Sequence, residues 1–480
     1  MSLFKWEVVD PAPGQPVAPN QRLPWGRTVG LGAQHVVAMF GATFVFPLVM
    51  GLDPNLAILF SGICTVGFLL ACSNKVPSYL GTSASFVAGV AAIRNQHGTS
   101  ADVTGAILVA GLVLAVVGIL VHFAGAGLIH KVLPPAVTGA VVMLIGFNLA
   151  PVVAGTYWPQ DQWIALITAT FMVCAAVLLP GFWSRIAVFL ALVFGYVISW
   201  LADKIFGTIH SVTGSSNGQQ IDHYRVSWSG VKSAHWIGFP SGHLSDGTSV
   251  VHSPSFSMTF ILLVLPGVIA LIAENTGHVK AVAEMTGSNL DPYMGRALAA
   301  DGIATAVASA FGGSPTTTYA ENIGVMGATK VYSTAAYYVA GIVAILLGLC
   351  PKFGALVSAT PGGVLGGITV ILYGMIGLVG AKIWVENRVD FGNPVNMVGL
   401  AAGIIAGIGG VSLQITSNFS LSGIALGTIM VIVYFHLVKG RGGQLDAGAH
   451  RGSDGDGDVR IPQDRGGSHD DGAGEVTKTL

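Results

Sequence analysis

The chain has 480 residues, 52 % of them hydrophobic and only 9 % charged, with 66 glycines and a mean hydropathy of +0.69. Soluble domains keep roughly 25 % of their residues charged to wet their surface, so this composition excludes one. Lys and Arg total 22 against 23 Asp and Glu, a net charge of −1 that leaves no basic field for nucleic acid to follow. The four cysteines lack CxxC spacing, so neither a disulfide framework nor a thiolate metal site is expected, and no cofactor.

In chain order, residues 1–27 are Pro-rich and have no apolar h-region, which predicts a cytoplasmic N-terminal segment rather than a cleaved signal. Long uncharged runs follow at 29–50, 104–121, 163–179, 186–202, 258–273, 331–350 and 421–438. At about 1.5 Å rise per residue, each approaches or exceeds a hydrocarbon core of about 30 Å. The fold class predicted is an all-α polytopic membrane protein. A more polar stretch at 204–255 divides the chain into two comparable halves and reads as an external loop. Residues 439–480 are one-third charged and without apolar periodicity, and are predicted to be a disordered cytoplasmic tail. Asp454, Asp456 and Asp458 mimic the start of a calcium loop there, but Val459 and Arg465 stand where Gly and Glu are needed.

The halves repeat. Pro134-Pro-Ala-Val-Thr-Gly139 and Pro361-Gly-Gly-Val-Leu-Gly366 each open an apolar run, 227 residues apart. Each half also carries one Gly/Pro/Ser/Thr interruption, at Pro77-Ser-Tyr-Leu-Gly-Thr-Ser-Ala-Ser-Phe86 and at Gly312-Gly-Ser-Pro-Thr-Thr-Thr-Tyr-Ala-Glu321. Paired interruptions point to a 7+7 inverted repeat of about 14 segments, in which two short broken helices, each preceded by a short extended strand, meet at a midplane binding site. With the N-terminus inside, Lys75, Lys131, Arg185, Lys280, Arg296, Lys330, Lys382 and Arg388 fall on the cytoplasmic side, as the positive-inside rule requires.

Few acids remain inside the apolar region, and each is a functional hypothesis because a mid-membrane carboxylate costs about 3 kcal/mol. Glu274 follows an apolar run, and His278 lies four residues on, on the same helical face. A carboxylate beside an imidazole suits proton coupling; the competing reading is a helix-end Glu wetted by the cytoplasm. Glu321 begins a short helix whose free N–H groups point back toward Tyr319 and Ala320, so that a carboxylate, a phenol and amides converge; it also reads as a capping acid. In the first half, small side chains at Ala84 and Ser85 leave backbone groups within a ligand's reach. His35 is either functional or a buried histidine bonded to a backbone carbonyl. Asp301 either carries a proton or binds a neighbouring backbone amide.

Gln34-His35, Pro77-Ser-Tyr-Leu-Gly-Thr-Ser83, Ala273-Glu-Asn-Thr-Gly-His278 and Thr317-Thr-Tyr-Ala-Glu-Asn-Ile-Gly-Val-Met326 resemble the nucleobase–cation symporter family, also called nucleobase/ascorbate transporters. Met50-Gly-Leu-Asp-Pro-Asn-Leu56 and Asp291-Pro-Tyr-Met-Gly-Arg296 resemble its bacterial pyrimidine branch. The resemblance implies a core domain (28–125 and 256–351), a gate domain (126–203 and 352–438), often a dimer, in the inner membrane with both termini cytoplasmic. It implies that Glu274 and Glu321 bind the nucleobase, with backbone at Ala320 and Ala84 pairing its edge, and that His35 is the family's histidine. The substrate expected is uracil, imported by proton symport. Xanthine stays open because Ala84 stands where uracil permeases often have Phe. An anion exchanger of the same fold would need a cationic or amide-lined pocket, which two acids oppose.

Overall fold

Prolines and short polar caps set most helix starts. In a computed structural model that describes residues 4–449 apart from 13–14, 126, 128–132, 214–218 and 417–418, helix α1 (Trp25–Met50) begins after Pro24 and ends at Gly51, whose φ of 71° closes the last turn. Helix α2 (Pro54–Ala71) starts on Pro54, with Asp53 accepting from the Leu56 N–H. Strand β1 (Leu80–Thr82) then leads through a single turn at Ala84–Phe86 into the short helix α3 (Val87–Asn95). A reciprocal Thr99–Asp102 cap opens α4 (Ser100–Ala124). Helices α5 (Pro135–Phe147), α6 (Gln162–Leu178) and α7 (Ala187–Phe206) complete the first half.

The second half follows the same succession. About two helical turns at Met258–Val264 continue into α8 (Pro266–Thr286), then α9 (Asp291–Ala310), strand β2 (Thr316–Thr318) and short helix α10 (Ala320–Thr329). Helix α11 (Thr334–Gly348) bends by 81° into Pro351–Ser358. Helices α12 (Gly362–Glu386), α13 (Pro394–Ile408) and α14 (Gly423–Ala449) close the described chain.

Among the described residues seven helices are long and apolar enough to cross a bilayer. Large apolar side chains stand exposed on the outward faces of α4, α6, α7 and α14, among them Phe123 (83 %), Val177 (75 %) and Phe206 (76 %). Water would not tolerate such a belt; lipid does. The chain is a multi-pass helical membrane protein.

Two expectations change. The fold is not purely α outside the paired strands: Ser412–Thr416 and Phe419–Ser422 form a hairpin between α13 and α14, where the apolar run predicts a helix from 421. Ser-Leu-Gln-Ile-Thr alternates with period two and includes β-branched residues, which suits a strand. The last helix also continues to Ala449, past the expected tail boundary at 439. Residues 450–480, with Asp454, Asp456 and Asp458, and Lys131 lie outside the described residues.

Helix packing exchanges the halves: α2 crosses α11 and α4 crosses α9, the second element of one half against the fourth of the other. Glycines permit the approach. A Cβ on Gly62 would lie 2.4 Å from the Gly341 carbonyl oxygen, and one on Gly118 would lie 2.2 Å from the Ala299 nitrogen. The loop between halves is tied at both ends. Arg225 binds Asp161 at 2.7 Å and Asp203 at 3.2 Å, on the α6/α7 side, while Arg94 at the end of α3 binds Asp246 at 2.8 Å. At the opposite end, the N-terminal segment is pinned to the α10–α11 connection by Val17 N–H to Lys330 O (2.9 Å) and Tyr332 N–H to Val17 O (2.8 Å).

Candidate functional site

Backbone polar groups inside an apolar slab must find partners, and the two interruptions find them in each other. Strands β1 and β2 pair antiparallel, Leu80 with Thr318, Gly81 with Thr317 and Thr82 with Thr316. Threonines from neighbouring helices serve the strands: the Leu80 N–H donates to Thr65 Oγ1 (2.9 Å) and the Thr316 N–H to Thr305 Oγ1 (3.1 Å). Tyr319 locks the pair. Its N–H donates to Tyr79 O (3.0 Å), its hydroxyl to Thr82 O (2.8 Å), and Thr43 Oγ1 donates to that hydroxyl at 3.1 Å. Only Gly fits at position 81, since a Cβ would stand 2.4 Å from Tyr319 Cζ.

Side chains alternate along β2, so Thr316 and Thr318 share one face and Thr317 takes the other. On the shared face, Thr316 Oγ1 donates to Asp301 Oδ1 (3.3 Å), Asn275 Nδ2 to Asp301 Oδ2 (2.7 Å), and Thr318 Oγ1 to Asn275 Oδ1 (2.9 Å). His278 Nδ1 stands 2.8 Å from Thr318 Oγ1. On the other face, the Thr317 hydroxyl lies against Glu274 without closing a hydrogen bond of ordinary geometry.

Glu274 sits within α8 rather than at its end, which removes the reading of a wetted terminal acid. It is partly buried, and its charged neighbours are Asp301 and Glu321. Glu321 occupies the first turn of α10, also partly buried, next to an exposed Ala320. Gly267, seven residues before Glu274 and on the same face of α8, packs on the first-half turn: a Cβ there would lie 2.8 Å from Ser85 O. The turn bearing Ala84 and Ser85 therefore stands about 10 Å along α8 from Glu274. Ser85 donates its N–H to Ser83 Oγ (3.2 Å), and Ala84 is half-buried.

A cavity of about 320 Å³ lies between α8, α5 and α12, bordered by Thr138, Ala273, Gly277, Lys280, Glu386 and Asn387. That volume is at the lower end of small-molecule sites, roughly 300–1,000 Å³. A larger cavity of about 490 Å³ near Phe147, Trp158 and Tyr373 is almost wholly apolar, and neither cavity has Glu274, Glu321 or Asp301 in its lining.

The structure brings Glu274, Glu321, Asp301 and His278 together around β2. It does not bring His35 to them. His35 is buried against Tyr337, ring centroids 4.3 Å apart, and receives hydrogen bonds from Asn322 Nδ2 at its carbonyl (2.9 Å) and at Nδ1 (3.2 Å). The expected imidazole-to-carbonyl bond is absent among the described residues. Asp301 binds the side chains of Asn275 and Thr316, not a backbone amide. The Tyr319 hydroxyl is committed to Thr82 and Thr43. Sequence reasoning missed Asn275, Thr318 and Asn322. Asn275 was visible as a third polar group inside Ala273-Glu-Asn-Thr-Gly-His278, whereas the threonines were read only for their extended backbone.

A family model described as "Permease family" matches residues 26–416. Over 424 residues the chain is 42 % identical to a protein of Escherichia coli (strain K12) named as a pyrimidine permease, RutG, covering 87 % of this chain and 90 % of that one. The chain belongs to the nucleobase/ascorbate transporter family of permeases. It is 33 % identical over 426 residues to the uracil permease of Bacillus caldolyticus (87 % of this chain, 93 % of the relative) and 32 % identical over 425 residues to that of E. coli K12 (86 % and 91 %). Among solved structures, the permease resembles the transmembrane domain of a cyanobacterial bicarbonate transporter, BicA (TM-score 0.52, 14 % identity, 86 % of this chain, 97 % of that one). It also resembles the murine anion transporter Slc26a9 (TM-score 0.59, 12 % identity, 86 % and 68 %). At those identities the likeness concerns the fold alone. The permease is a membrane transporter and not an enzyme.

Proposed function

We propose that this permease imports uracil together with a proton by alternating access. The observation that carries the reading is the meeting of Glu274 and Glu321, from two separate helices, beside the paired strands and the exposed start of α10. Uracil is planar and neutral, with two N–H donors and two carbonyl acceptors. Two carboxyls accept its N–H groups, while backbone N–H groups at Ala320 and around Ala84 donate to its oxygens, with Ser85 beside them and Tyr319 holding the strands that position them. Relatives named uracil permeases at 32–33 % identity support the substrate.

The same reading counts fourteen segments, seven per half, with the strand-plus-short-helix units third in each. A core of 28–125 and 256–351 moves against a gate of 126–203 and 352–438, in an inner membrane with cytoplasmic termini and as a homodimer. Glu274, His278 and Asp301 carry the coupled proton, and His35 supports α10 through Asn322.

A purine such as xanthine is the second reading, favoured by the small, half-buried side chain at Ala84, which leaves that wall of the site wide. Anion exchange has the fold likeness but not the site, because two acids repel an anion. The test is uptake of labelled uracil into proteoliposomes under an inward proton gradient, with xanthine and thymine as competitors. Uptake that collapses with the gradient is expected. Absence of uracil uptake, or indifference to the gradient, overturns the reading.

A further inference from the structure

The hydrogen bonds behind β2 admit one arrangement of protons. Asn275 Nδ2 stands 3.0 Å from Leu271 O and 2.7 Å from Asp301 Oδ2. A backbone carbonyl accepts only, so the amide nitrogen must face it, and the amide orientation is decided. Asn275 Oδ1 then faces Thr318 Oγ1 at 2.9 Å and can only accept, which uses the single hydroxyl proton of Thr318. The same hydroxyl oxygen lies 2.8 Å from His278 Nδ1 and has only a lone pair left to offer. His278 Nδ1 must therefore carry hydrogen. The Thr318 backbone also bonds His278, and a carbonyl there imposes the same requirement. His278 Nε2 has no hydrogen-bond partner among the described residues, on a partly buried side chain.

We propose that Asn275 and Thr318 are positioning residues that hold His278 in its Nδ1–H tautomer and leave Nε2 as a bare hydrogen-bond acceptor. A free imidazole in water prefers the other tautomer, with hydrogen on Nε2. The relay from Asp301 through Asn275 and Thr318 reverses that preference, and it spans α9, α8 and β2, the three elements that converge on the site. The consequence is that neutral His278 can accept a proton or a hydrogen bond only at Nε2. This inference does not depend on the uracil reading, because the tautomer is a property of the protein alone.

The test uses the full chain labelled with [15N]histidine in lipid, with the His278 signal assigned by its absence from His278→Gln. The substrate-free wild type should show hydrogen on Nδ1 and a bare Nε2. Thr318→Val should shift His278 toward the Nε2–H form. Thr318→Ser, which keeps the hydroxyl, should restore the Nδ1–H form. Hydrogen on Nε2 in the wild type, or a Thr318→Val spectrum identical to wild type, overturns the proposal. If the wild type binds no uracil, the transport reading fails while the spectra still decide the tautomer.

Discussion

The hydroxyl of Tyr319 donates to the backbone carbonyl of Thr82 across 2.8 Å, although 237 positions separate the two residues. It fastens the broken segment of one half to that of the other, at the point where the acids converge. Tyr319→Phe leaves the Thr82 carbonyl and the Thr43 hydroxyl without this partner inside a dry core, a cost of about 1–3 kcal/mol. The melting temperature in detergent should fall, with uracil affinity reduced by local loosening. Gly81→Ala should be worse on both measures, because its Cβ must displace the Tyr319 ring itself. Equal or smaller effects in Gly81→Ala would argue against the packing described.

Glu274→Gln and Glu321→Gln each replace an acceptor-only carboxylate by a group with an amide donor, at nearly constant volume. Calorimetric binding of uracil should disappear in each variant while the melting temperature changes little. Retained affinity in either variant would remove that residue from the site.

On the outer side, Arg94 holds Asp246 at 2.8 Å, and Ser100 donates its N–H to the same carboxylate at 2.5 Å. Partial burial opposes the charged form of Asp246, but the bonds from Ser100, Arg94 and Thr248 outweigh it and hold the carboxyl well below its ordinary value of 3.8. A depressed folded-state value stabilises above the unfolded one and is lost as pH falls through the folded one. The stability of the wild type should therefore fall with acid below about pH 4 more steeply than that of Asp246→Asn, as followed by thermal melts. Parallel profiles would show that this anchor contributes nothing.

Asn322 ties His35 to α10 through two hydrogen bonds of 2.9 and 3.2 Å. Asn322→Ala and His35→Ala should each reduce stability and uptake, and the double variant should lose less than the sum, with a coupling of at least about 0.5 kcal/mol. Strict additivity would separate His35 from α10.

The helix-forming runs, the doubled plan and the two isolated acids were legible because each is a local pattern. Apolar length, proline-led starts and an acid amid apolar neighbours are visible within a single window of residues. Asp301 shows where that stops. Its sequence context, Ala299-Ala-Asp-Gly302, admitted either a proton carrier or a backbone-bound acid. Only the fold put Asn275, from 26 residues upstream, and Thr316 on its two oxygens. Tyr319 is similar: its place beside Glu321 suggested a phenol turned to a ligand, but packing against β1 turned it to Thr82.

By itself, then, the sequence determined that this chain spans a membrane as helices, that its halves repeat, and that Glu274 and Glu321 are the charges the bilayer would not otherwise tolerate. Tertiary structure alone decided the register of β1 on β2, the direction of the Asn275 amide and so the proton on His278, and the Arg94–Asp246 anchor. The physical reason is range. Hydropathy acts on each residue where it stands, whereas a hydrogen bond's donor and acceptor are assigned only when distant segments are brought within about 3 Å.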